Sequence, residues 1–119
     1  MTSPADAAAA LYAALSTVNG VLVARGTGVP VDPPAAIVGP PRLTRGRYNT
    51  VEPTEATFQV AVVVAWSEYT LDELLRLEPL VSSAIYEHTG AAVGDSSPGS
   101  WNAGGVDLPA YLIDVVFPL

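Results

Sequence analysis

The clearest alternation in the chain spans residues 57–67. Phe58, Val60, Val62, Val64 and Trp66 fall on one face, and Thr57, Gln59, Ala61, Val63, Ala65 and Ser67 on the other. A period of two with many β-branched residues predicts a strand. Its bulky face should pack on helices. Its smaller face suits close approach of another layer or subunit. Residues 110–117 repeat the pattern, with Tyr111, Ile113, Val115 and Phe117 opposite Leu112 and Val116. Apolar groups on both faces place this strand inside a sheet.

Two regions show helical spacing instead. In residues 4–18, Leu11, Ala14, Leu15 and Val18 share a stripe, Ser3 can cap, Pro4 suits the first helical position, and Asp6 favours the positive end of the dipole. Asn19-Gly20 is a stop signal. Further on, Thr70-Leu-Asp-Glu73 reads as a capping box before Leu71, Leu74, Leu75 and Leu77. Pro79 then interrupts, and a proline inside a helix costs about 3 kcal/mol. The pattern therefore predicts a short helix to residue 77, a break or kink, and a second helix over 79–88 with Leu80, Val81, Ala84 and Ile85 inward. Gly90 closes it.

Shorter apolar runs at 21–24, 35–39 and 91–95 read as strands, and 25–28 and 96–105 as turn-rich connections. The run at 35–39 sits in DPPAAIVGPPRL, fenced by Pro33-Pro34 and Pro40-Pro41. Proline donates no backbone hydrogen bond and pushes its predecessor to extended backbone. The fence should pin the strand ends and keep pairing from running on past residue 39. Residues 40–56 read as an irregular loop of seventeen residues, long for a connection within a domain. The order is α-β-β-β-α-α-β-β. That is an α+β fold in one domain, 1–119: a single mostly antiparallel sheet, with an N-terminal helix and a kinked or split helix pair on one side.

Composition adds constraints. The chain is 50% hydrophobic but only 14% charged, with no lysine and no cysteine. Ordinary soluble domains are about 25% charged. So few ionised groups point to a surface partly covered by neighbours, hence to oligomerisation. The net charge of −7 and five arginines argue against specific nucleic-acid binding, which needs several phosphates neutralised. No apolar run approaches the ~18 residues of a membrane span, and no basic leader precedes an apolar core. A soluble protein made in the cytoplasm is expected.

Catalytic chemistry is thin. His88 is the one histidine and falls in a helix's last turn, where a capping role suits it. It has no His or Cys companions for a metal. Ser96, Ser97 and Ser100 lie near glycines, but GDSSPG lacks nucleophile-elbow spacing. No phosphate-binding glycine loop occurs, and Gly26-Thr-Gly28 is only a fragment of one. No enzyme, cofactor or metal site is expected. The most localised charge is Arg42, Arg45 and Arg47 beside Tyr48. Three readings are open for it: a solvated loop paired with Glu52 and Glu55, an intersubunit contact, or a DNA contact. Trp101, inside SPGSWNAGG, is either tucked over the sheet edge or a partner-facing anchor.

Taken together, the capped first helix, Pro34-Ala-Ala-Ile-Val-Gly-Pro40, the long loop, the valine-rich strand, the acid-capped helices and Gly104-Gly-Val-Asp107 before the last strand resemble a known layout. The whole chain resembles the tail terminator proteins of long-tailed, non-contractile bacteriophages, in the version found in phages of high-GC actinobacteria. None of these motifs is a catalytic signature. The resemblance implies a virion structural protein, assembled in the host cytoplasm and placed at the tail–neck junction. It implies a homo-oligomeric ring, typically a hexamer, on the last ring of the tail tube. Such a ring ends tube growth and docks the tail to the neck. Its partners are itself, the major tail tube protein and a neck or head-completion protein, with genomic DNA passing through unbound.

The loop at 40–56 would reach a neighbour or the tube, making Arg42, Arg45, Arg47, Tyr48 and Trp101 interface candidates. Asp72, Glu73, Glu78, Asp95 and Asp107 are candidates to line an acidic channel that repels DNA so that it slides. The alternatives are another head–tail connector component, such as a stopper or head-completion protein, or a small cellular binding module.

Overall fold

The computed structural model describes residues 3–25, 32–46 and 51–119. The elements are α1 (Pro4–Leu15), β1 (Leu22–Arg25), β2 (Ala35–Val38), β3 (Arg42–Thr44), β4 (Glu55–Val63), α2 (Thr70–Thr89), β5 (Ala92–Ala103) and β6 (Val106–Pro118). The fold is α+β, with one six-stranded mixed sheet ordered β1-β2-β4-β6-β5 and β3 also paired to β4. Every described pairing is antiparallel except β1 with β2.

The central strand is β4. Its even residues Ala56, Phe58, Val60 and Val62 join Ile113, Val115 and Phe117 of β6 in the main core. Ala7, Leu11 and Leu15 of α1 and Leu74, Leu77, Val81 and Ile85 of α2 complete it. The Phe58 and Phe117 rings meet edge to face at 5.6 Å, the favoured aromatic geometry. In β4 the alternation behaves as its spacing predicts up to Val64. The chain then leaves the sheet, so Trp66 is 68% exposed rather than packed under a helix.

α1 begins as its sequence predicts: Ser3 Oγ accepts from Asp6 N–H at 3.1 Å. It ends three residues earlier than expected, because Thr17 and Val18 tighten into three-residue turns onto Ala14 and Leu15. The second helical region differs more. It is one helix of 20 residues with Pro79 inside it, not two. The buried positions Leu74, Leu77, Val81 and Ala84 keep a three–four spacing straight across the proline. Burial of both halves on the same sheet thus outweighs the local cost of the missing hydrogen bond. The capping box does not form either. Thr70 Oγ1 donates to the Ala65 and Ser67 carbonyls and accepts from Ser67 N–H, and Glu73 N–H bonds the Tyr69 carbonyl.

The largest departure is residues 96–105, expected as exposed turns. Residues 92–103 form edge strand β5, joined to β6 by Gly104-Gly105. Both glycines have positive φ, 61° and 88°, the mirror-image turn that suits a two-residue hairpin. Pro98 and the register irregularity between Val93 and Ser96 are tolerated because the outer edge of β5 needs no ladder partner.

The far end of this hairpin covers the sheet face opposite the helices. Ala103, Leu108 and Ala110 form a second core with Ala35, Ile37, Ala61 and Val63, and Trp101 packs against it. The Trp101 Cη2 atom lies 3.6 Å from where a Cβ on Gly39 would stand. The smaller face of β4 therefore does meet another layer, and that layer is the chain's own last hairpin. The indole Nε1 of Trp101 is buried without a hydrogen-bond partner among the described residues.

Replacing the helix proline, Pro79→Ala, should raise stability by about 1–2 kcal/mol, because an exposed proline is removed and Leu75 regains a helical donor. Thermal and urea unfolding by circular dichroism measure this, and a loss would show that the helix depends on its proline. Trp101→Ala should cost about 3 kcal/mol, whereas Trp101→Phe, which keeps a ring and deletes an unpaired donor, should cost about 1 kcal/mol or less. Trp66→Ala should fall within about 0.5 kcal/mol of the parent in the same urea titration.

Candidate functional site

All the fully buried residues among those described are apolar. No group of three or more His, Cys, Asp or Glu converges among them. The features that stand out on the described surface are exposed apolar side chains and scarce cationic ones. These concentrate at the two ends of β4.

The first end is the arginine-rich segment. The proline pair before it does not stop pairing. Val38 pairs with Val60 and Arg42 with Thr57, so four steps on one strand face three on β4. Gly39-Pro40-Pro41 is thus a one-residue bulge, spanned by Gly39 N–H to the Gln59 carbonyl at 3.2 Å. Beyond it β3 resumes along the same edge of β4. The expected irregular loop is instead the base of a hairpin. Its neck is closed by Thr54 N–H and Oγ1, both donating to the Thr44 carbonyl at 2.8 and 3.2 Å.

Arg42 stands exposed on β3. Arg45 is exposed beyond the neck, and its Nε donates to the Val51 carbonyl at 2.7 Å across the hairpin. Arg47 and Tyr48 lie outside the described residues. Leu43 and Val51 add exposed apolar groups, Val51 at 85%. Trp101 is not part of this end as a free anchor. Its ring packs within the chain, against Gly39 and the second core.

The second end lies past Val63. Trp66, Tyr69, Leu71 and Leu75 are each more than half exposed, as is Val106 at the tip of the last hairpin. Trp66 Nε1 donates to the Asp107 carbonyl at 2.9 Å, tying the two segments together. Five of the ten large apolar side chains that stand exposed among the described residues gather here. Sequence reasoning missed this patch because it extended the β4 alternation to Trp66 and turned that ring inward. The break after Val64, where Ala65-Trp-Ser-Glu leads to a helix start, was the available signal.

The five acidic channel candidates do not share a face. At 100° per residue, Asp72, Glu73 and Glu78 point in three directions around α2. Glu73 pairs with Arg76 at 2.9 Å. Glu78 is half-buried and accepts from Ser82 Oγ and Ser96 Oγ, each at 2.8 Å, which ties α2 to β5. Asp95 is exposed in the irregular stretch of β5. Asp107 is exposed by the last turn, and its Oδ1 accepts from Asn102 Nδ2 at 3.1 Å.

Elsewhere, His88 Nδ1 lies 3.0 Å from the Ala84 carbonyl, one turn back on the same helix. An open groove of about 350 Å³ is lined by Ala8, Arg25, Val38, Gly39, Pro40, Pro41 and Phe58. The Arg25 guanidinium stacks over Tyr12 at 4.1 Å beside it. Comparison of the chain with protein-family models and with curated proteins finds no match.

Proposed function

We propose that this chain is a phage tail terminator: a subunit of a ring that caps the tail tube, ends its polymerisation and offers a docking surface to the neck. The observation that carries the proposal is the hairpin built on β3 and β4. Its base, Arg42–Thr44 paired with Glu55–Thr57 beyond the proline bulge, leaves Arg42, Leu43 and Arg45 exposed. A segment already paired at its base loses less conformational entropy when it docks.

Other features agree with this reading. The two motifs of the resemblance build structure, not a reactive site. Pro34–Pro40 makes β2 and launches the bulge, and Gly104–Asp107 makes the tip of the last hairpin. The apolar ends of β4 suit a protein covered by copies and partners. At −7 per subunit, a ring would carry strong negative charge, and DNA passing through would be repelled from its wall. Of the five candidates, Asp72, Asp95 and Asp107 are exposed, whereas Glu73 and Glu78 are held by Arg76 and by Ser82 and Ser96.

The runner-up is a head-side connector component. A lysate lacking the gene separates the two by electron microscopy. A terminator's loss should leave overlong, irregular tubes. Normal tails beside leaking heads would replace this proposal with the stopper alternative. A small binding module has the Arg25 groove in its favour, which could take a small apolar anion. Purified protein should shorten tubes formed by the tail tube protein in vitro, and Arg42→Glu with Arg45→Glu should reduce that capping at least tenfold. Unchanged tube lengths across a range of added protein would count against the terminator reading.

A further inference from the structure

The arginine hairpin and the Trp66 patch lie at opposite ends of β4, a strand of nine residues spanning about 30 Å. Their charges differ as well. Residues 42–55 hold Arg42, Arg45 and Arg47 against Glu52 and Glu55, while the rest of the chain holds two arginines against ten carboxylates. The segment thus holds three of the five arginines of a strongly acidic chain and is one that another copy would not repel. The patch at the other end is acidic, with Glu68 and Asp72 set among Trp66, Tyr69, Leu71 and Leu75. Glu68 and Asp72 are both exposed.

We propose that the occupant of the Trp66 patch is a second copy of this chain, seated through its arginine hairpin. Arg42 and Arg45 of one copy meet Glu68 and Asp72 of the next, and Val51, whose carbonyl accepts from Arg45, lies on the Leu71–Leu75 stripe. Aromatic and arginine side chains are the usual energetic centre of such contacts. The two surfaces differ, so the contact is head to tail. Repetition of a head-to-tail contact gives a closed ring when its rotation closes and a filament when it does not. This deepens the ring reading by naming the surfaces that join its subunits. It also removes Asp72 from the channel, because it places that carboxylate between subunits.

The absence of cysteine makes a direct test possible. Val51→Cys and Leu75→Cys change exposed side chains outside both cores. The two single variants are mixed, one carrying a size tag, and oxidised mildly. The mixed Val51–Leu75 disulfide dimer should exceed either homodimer at least tenfold. Adding Glu68→Arg and Asp72→Arg to the Leu75→Cys partner should cut its yield at least tenfold. Adding Arg42→Glu and Arg45→Glu to the other partner as well should restore it. Circular dichroism confirms that each variant is folded.

Homodimers equal to the mixed dimer, or no cross-linking at millimolar protein, would overturn the contact. So would a yield indifferent to charge. None of these results bears on tube capping, which the tube-length assay judges separately. A mixed dimer in a protein that never caps tubes would keep the contact and discard the terminator reading.

Discussion

Residues 60–64 of the central segment are apolar on both faces, and a strand of that kind cannot leave either face to water. Most of the architecture answers this one constraint. The bulky face is covered by α1 and α2, whose stripes of Leu11, Leu15, Leu74, Leu77, Val81 and Ile85 meet Phe58, Val60 and Val62. No helix is left for the other face. The final hairpin covers it, with Trp101, Ala103, Leu108 and Ala110 over Ala61 and Val63. The small residues there, Ala35, Ala61, Ala103 and Ala110, permit the close approach of two β layers. Where the cover runs out, at the two ends of β4, stand seven of the ten large apolar side chains exposed among the described residues.

The parts of the fold legible in the sequence were those in which burial writes a local period. β4, β6 and α1 are of this kind, and the positions assigned to their inner faces are largely the buried ones. The parts that were not legible depend on partners distant in sequence. β5 is built from Ser, Gly, Pro and Asn, residues that favour turns on their own. It is a strand because β6 offers it a ladder and its outer edge makes no demand. β3 has three exposed residues and no pattern to detect. Pro79 carries a true local signal for a break, but the sheet beneath α2 overrides it. The parallel placement of β1 beside β2 has no local signature at all.

The candidate surfaces were legible to a similar degree. The arginine cluster could be located because charge is scarce, and scarcity makes position informative. Its form as a hairpin could not, because two proline pairs read as barriers, whereas Gly39-Pro40-Pro41 sits where a bulge needs no donor beyond Gly39. The Trp66 patch was hidden by an alternation that continues in sequence for two residues after the strand has left the sheet. The acidic residues were grouped by charge alone. Helical geometry then separates Asp72, Glu73 and Glu78, and hydrogen bonding gives Glu73 and Glu78 local roles.

The same scarcity of cations links the two halves of the proposed function. Identical subunits of net charge −7 repel one another, and salt screens that repulsion only beyond about 8 Å at physiological strength. A ring of such subunits needs contacts that place the few arginines against carboxylates and add apolar burial, which salt does not weaken. A head-to-tail contact does both, using two of the five arginines once per interface. Apart from Glu73, which Arg76 pairs, few of the remaining carboxylates then have a counter-charge from the protein. Those that face the lumen would give DNA a wall with little to hold it. In the proposed ring, cohesion between subunits and indifference to the passing duplex have one origin: the arginines are few, and Arg42 and Arg45 stand together at one end of β4.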